Sequence, residues 1–166
     1  MILNSGNKVI YPYQGPCLIG PVIKKVIDGS PISFYRLALL DDSGGELFVP
    51  VDKVQSIGIR PLLNRSDIPK LLDLLKEPSE ADKDWKQRAN DNFKLLTSGS
   101  TFDLAEVVKS LTMLGRKREL SFRESQTLEK ARKLLIGEIS EVMGETKSAA
   151  EEQIDEALRA RKSESS

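Results

Sequence analysis

The stretch ISFYRLALLDDSGGELFVPVDKV, residues 32–54, decides how the first part of the chain folds. Two runs rich in β-branched and aromatic residues, ISFYRLALL and ELFVPVDKV, flank Asp41-Asp42-Ser43-Gly44-Gly45. Such runs fit a pleated, half-buried surface, and the Asp/Ser/Gly cluster between them reads as a turn. The acidic pair Asp41-Asp42 is turn chemistry, because Asp bonds its own backbone at such positions. Gly44-Gly45 has no helix opening after it, so it reads as part of the hairpin and not as a phosphate cradle.

The same grammar extends upstream. KVIYPYQG (8–15) and CLIGPVIKKVI (17–27) are further strand-like runs, punctuated by Gly15, Gly20-Pro21 and Asp28-Gly29-Ser30-Pro31. Short strands at roughly ten-residue spacing predict a small, strongly bent antiparallel barrel over residues 1–60. Sixty residues is near the lower limit for an independent core, so this unit leans on a neighbour or offers a sheet edge for docking.

After Arg60-Pro61 the pattern becomes helical, which predicts a second, all-α domain over residues 61–166. SDIPKLLDLLKEP carries a capping Ser66 or Asp67, Pro69 in the first turn, and leucines 71, 72, 74 and 75 at helical spacing. Further helices are expected over 84–96, closed by Ser98-Gly99, and over 103–114 with Leu104, Val107, Val108 and Leu111 as its stripe. Ser121 and Glu124 form a capping box ahead of Leu128, Ala131, Leu135 and Ile139 on one face. A short amphipathic helix, SAAEEQIDEALRARK, is expected last. The fold class is therefore α+β in two domains.

The 166-residue chain has equal numbers of acidic and basic side chains, 25 of each, and no histidine. Triad and imidazole acid/base chemistry are excluded, and with a single cysteine a zinc site would need mostly carboxylates, so metal catalysis is not expected. Cys17 lacks a basic partner nearby in sequence and reads as inert packing. No phosphate loop, G-x-G-x-x-G or C-x-x-C occurs, so neither an enzyme nor a cofactor is expected. No apolar run approaches a membrane span, and the N-terminus has no signal-peptide core.

The zero net charge hides a pattern. Residues 84–137 hold eleven Lys/Arg against seven Asp/Glu, and residues 138–166 hold four against eight. Within the basic middle lies the only tryptophan, Trp85, in DKDWKQRANDNFKLL, crowded by Asp84, Lys86, Gln87 and Arg88. Two readings stand: a partly buried anchor at a helix start, or an exposed ring among cations that stacks on a base. Arg116-Lys117-Arg118 follows a helix C-terminus, where the dipole favours cations, and also suits phosphate.

GNKVIYPYQG (6–15), the turn at Gly29, FYRL (34–37) and LFVPVDKVQSIGIRPLL (47–63) together resemble the N-terminal module of the CarD/CdnL family of bacterial transcription regulators. Trp85 with Arg88, LLTSG (95–99), AEVVKSL (105–111), ELSFRES (119–125) and LEKARKLLIGEI (128–139) are similar to the same family's second half. The resemblance runs in order over nearly the whole chain. It implies a Tudor-like barrel that docks on the RNA polymerase β subunit, similar to the module of the transcription-repair coupling factor. It also implies a helical domain on promoter DNA at the upstream edge of the melted region, with the tryptophan as a wedge that stabilises the open complex.

Carried over by position, the polymerase-facing residues are Lys25, Ile27, Phe48, Val49 and Pro50. The DNA-facing residues are Trp85, Lys86 and Arg88, with Arg116, Lys117, Arg118 and Arg123 added for their charge. For Ile27 and Phe48 the competing reading is ordinary barrel core. The resemblance further implies a cytoplasmic, nucleoid-associated monomer. Two other functions compete: a polymerase-binding adaptor that never touches DNA, and a peptide reader with an aromatic cage drawn from Tyr11, Tyr13, Phe34, Tyr35 and Phe48.

Overall fold

The structure is a computed structural model that describes residues 2–78 and 85–160, with backbone alone for residues 85–89. The chain divides into two compact units, Met1–Leu62 and Leu63–Ser166.

The first unit is one antiparallel sheet built from β1 (Lys8–Tyr11), β2 (Gly15–Ile27), β3 (Ser30–Leu39), β4 (Glu46–Pro50) and β5 (Arg60–Pro61). Its order is β4-β3-β2-β1-β5, so β4 and β5 are the edges. Asp28 and Gly29 both have positive φ and close the β2–β3 hairpin in two residues, the geometry that matches strand twist. The β3–β4 turn is held by Asp41, whose Oδ1 accepts hydrogen bonds from the Ser43 backbone N–H at 2.9 Å and from its hydroxyl.

A bulge at Gly20-Pro21 decides which side chains the sheet shows. Ile19 pairs with Leu37 and Val22 with Tyr35, so β2 advances three residues while β3 advances two. One inserted residue reverses the inside–outside alternation beyond it. Gly20 suits the site because a Cβ there would meet the Arg36 carbonyl oxygen at 3.1 Å. The inner face buries Val9, Cys17, Ile19, Tyr35, Leu37 and Val49, joined by Leu3, Val54 and Ile59.

The sequence run ELFVPVDKV reads as strand to its end, whereas β4 stops at Pro50. Proline offers no N–H to continue a ladder. Val51–Lys53 instead form a 3₁₀ turn leading into the four-residue α1 (Val54–Ile57), which is closed by Gly58 in the left-handed region.

The second unit packs α2 (Ile68–Lys76), α3 (Trp85–Thr97), α4 (Thr101–Lys117), α5 (Phe122–Met143) and α6 (Lys147–Arg159) around one core. Leu71, Leu75, Leu104, Val107, Val108, Leu111, Ala131, Leu135 and Ile139 are all buried, as their spacing predicts. The Ser121–Glu124 capping box forms at α5, and a box between Asn64 and Asp67 opens the turn before α2. Helix α4 runs longer than its apolar stripe at both ends, starting from the cap Ser100, whose hydroxyl accepts from Asp103 N–H.

Glu138 is the one carboxylate buried inside this unit among the described residues. It accepts a 2.6 Å hydrogen bond from the Thr101 hydroxyl and a 3.0 Å bond from the Leu63 backbone N–H. A single α5 side chain thus ties the start of α4 to the segment that opens the unit.

Candidate functional site

Beyond the bulge, the reversed alternation brings Ile23, Lys25 and Ile27 of β2 to the outer face, beside Ile32, Phe34 and Arg36 of β3 and Phe48 and Pro50 of β4. Ile27 is 43% exposed and Phe48 is 44% exposed, so neither is barrel core. The Lys25 ammonium lies 4.6 Å from the centre of the Phe48 ring. Such a cation–π contact at an exposed site is worth about 0.5–1 kcal/mol and fixes both side chains on the face. Next to Phe48, Arg36 donates to Glu46, and that hydrogen bond holds the Glu46 carboxyl below its usual range.

Val49 requires a correction. It is 1% exposed and packs in the inner core opposite Tyr35, because neighbouring residues of a strand point to opposite faces. What this edge strand offers outward at β4 is its backbone. The Leu39 N–H bonds the Gly45 carbonyl, so the antiparallel alternation directs the N–H and C=O groups of Glu46 and Phe48 away from β3. Four of the five sequence-selected residues therefore share one face beside a strand edge that is unpaired among the described residues. The same face carries Ile23, Ile32, Phe34 and Arg36, which a period of two reveals only once the bulge is known.

The aromatic set for a peptide cage does not assemble. Tyr35 is buried on the inner face, with its hydroxyl accepting from Leu3 N–H at 3.3 Å, while Phe34 lies on the outer face. Cys17 is fully buried, and burial above all pushes its thiol up to about 12, which leaves no thiolate at neutral pH.

In the helical unit, Trp85, Lys86 and Arg88 form the first turn of α3, and their side chains lie outside the described residues. The added cations divide into two kinds. Arg116 donates to the Leu158 carbonyl at 3.4 Å, joining the ends of α4 and α6. Arg118 holds Glu124 through two bonds of 3.0 and 2.9 Å and is thereby committed to the α4–α5 turn. Lys117 and Arg123 are exposed, and neither has a side-chain partner among the described residues.

The Arg118 hydrogen bond, aided by Ser121 and opposed by burial, lowers the Glu124 carboxyl to about 2. A carboxyl depressed in the folded state contributes stability above its unfolded pKa of about 4.3, and this is lost as pH falls through its folded value. Wild-type protein is therefore expected to lose more thermal midpoint between pH 5 and pH 2 than Glu124→Gln does. Parallel losses in the two proteins would show that the pair contributes nothing to folding.

Residues 3–63 match the family model of the CarD-like/TRCF RID domain, and residues 70–155 match that of the CarD C-terminal domain. The chain belongs to the CarD family. It is 25% identical over 143 residues to the transcription-factor candidate YdeB of Bacillus subtilis (strain 168), spanning 85% of this chain and 92% of that protein. Among solved structures, the NMR structure of the 72-residue N-terminal domain of Myxococcus xanthus CarD is 34% identical. That match covers 36% of this chain and 77% of the other, with a TM-score of 0.30. This CarD-family chain thus joins an RNA polymerase-interacting domain of the CarD/TRCF kind to a CarD C-terminal domain. No helix among its described residues is long and apolar enough to cross a membrane.

Proposed function

We propose that the chain regulates transcription by docking its first unit on the RNA polymerase β subunit while its helical unit contacts promoter DNA at the upstream edge of the melted region. The observation that carries this reading is the outer face of Lys25, Ile27, Phe48 and Pro50 beside the unpaired edge of β4. An exposed edge strand accepts a partner strand through main-chain hydrogen bonds, and the neighbouring side chains select which one. An exposed apolar face with a lysine laid on it suits a partner that has both apolar and acidic groups.

The DNA contact has separate support. Helices α3 and α4 are joined by residues 98–100 and pack together, and short connections join antiparallel neighbours. On this reading the first turn of α3, with Trp85, Lys86 and Arg88, acts together with the basic turn at the end of α4. An aromatic wedge offsets part of the few kcal/mol needed to unstack a base step. Tethering through the polymerase raises the effective concentration at the promoter, so a chain of zero net charge needs little affinity for free DNA. The outcome of docking and wedging together is a longer-lived open complex.

The test is a polymerase pull-down with Ile27→Asp, Lys25→Glu and Phe48→Asp. Each is expected to weaken binding by at least about 30-fold, the effect of losing a central contact worth about 2 kcal/mol. The far-ultraviolet circular dichroism should stay unchanged, because all three side chains are exposed. Recovery of polymerase equal to wild type by all three variants would remove this face as the docking surface.

A further inference from the structure

Phe122 is 79% exposed, the most exposed large apolar side chain described in the helical unit. It occupies the first position of α5, where packing does not explain it. At 100° per residue it stands roughly 180° around the helix from Ala131, which is fully buried in the core stripe. The helix start needs nothing from it either, since Ser121 and Glu124 already satisfy the capping box.

Its surroundings are cationic. Residues 116–124 hold four cations (Arg116, Lys117, Arg118 and Arg123) against two carboxylates, Glu119 and Glu124, a local excess of two. Glu124 is engaged by Arg118, whereas Lys117 and Arg123 are exposed on either side of the turn without a side-chain partner among the described residues. Larger contiguous apolar patches are what mark protein–protein sites. No other large exposed apolar side chain adjoins Phe122 in sequence, since Leu120 is half-buried against Gly115. One flat ring among cations matches a different ligand: a base stacks on an isolated aromatic face while neighbouring cations hold its phosphates.

We infer that Phe122, with Lys117 and Arg123, forms a stacking site for an unpaired DNA base, a second aromatic contact beside the one proposed for Trp85. This inference rests on the proposed DNA-contacting role of the helical unit and specifies the form of DNA it takes. Duplex DNA keeps its bases stacked on one another, so only a melted or frayed strand offers a free base face to the ring. Lys117 and Arg123 contribute a salt-dependent, sequence-independent attraction, and Phe122 adds preference for the unpaired state.

The test uses the full chain and two fluorescent DNA probes of equal length, one fully duplex and one forked with an unpaired arm, read by anisotropy at low salt. Phe122→Ala is expected to bind the fork about 5- to 150-fold more weakly than wild type, with duplex binding and thermal midpoint unchanged. Phe122→Tyr, which keeps a flat ring, should restore fork binding. Arg123→Ala should weaken both probes and flatten the salt dependence. If Phe122→Ala binds the fork as wild type does, or loses both probes equally, the stacking site is overturned while the DNA-contacting role stands. If wild type binds neither probe at any protein concentration, the stacking site is overturned, while the DNA-contacting role, exercised from the polymerase, is decided by the open-complex lifetime.

Discussion

Glu138→Ala is expected to lower the stability of the helical unit by about 2–5 kcal/mol. The buried Thr101 hydroxyl and the half-buried Leu63 N–H both lose this acceptor, and a lost buried hydrogen bond of this kind costs about 1–3 kcal/mol. Glu138→Gln keeps one carbonyl acceptor and should lose less. The ordering alanine below glutamine below wild type, read from denaturant midpoints, separates lost hydrogen bonds from lost volume. A Glu138→Leu variant as stable as wild type would show that the carboxylate contributes no net stability, as happens when a buried polar group is replaced by a well-packed apolar one.

Trp85→Ala is expected to shorten the lifetime of the polymerase–promoter open complex by a factor corresponding to roughly 1–3 kcal/mol of lost stacking. On this reading the thermal midpoint changes little, since a surface substitution usually costs within about half a kcal/mol. A helix-start anchor behaves in the opposite way, losing about 3–5 kcal/mol of stability for a buried Trp→Ala. Both quantities are measured on one variant. A destabilised protein with a normal open-complex lifetime would eliminate the wedge.

Helices were the most legible part of this chain, because their evidence is local. The stripe Leu104, Val107, Val108 and Leu111 and the Ser121–Glu124 box each lie within a few residues, and both are found where the spacing puts them. The outer face of the sheet was legible only through resemblance. Simple alternation from the buried Cys17 and Ile19 would turn Lys25 and Ile27 inward, and the extra residue at Gly20-Pro21 reverses that. A bulge is a property of pairing between strands, so no single run of sequence displays it.

Val49 faces the inner core, away from Phe48 and Pro50, for the same reason in reverse. Proximity in sequence to Phe48 and Pro50 says nothing about which side of a strand a residue faces, and one step along β4 moves the side chain from solvent to core. The basic cluster shows a further limit. Arg116, Lys117, Arg118 and Arg123 are equivalent as charges, yet Arg116 and Arg118 have internal acceptors and, among the described residues, Lys117 and Arg123 have none. Phe122 escaped notice because a lone aromatic at a helix start carries no periodic signal.

The burial of Cys17 makes the chain its own clock. With one thiol in the whole sequence, enclosed in the sheet core and almost wholly protonated at neutral pH, a modifying reagent can react only when the first unit opens. When reclosing is fast, the rate of labelling follows the open population, and when the reagent is in large excess it follows the opening step itself. The helical unit has no cysteine and stays silent in this assay. Labelling kinetics therefore isolate the breathing of the sheet within the intact chain, and a partner strand seated on β4 would register as a slower clock.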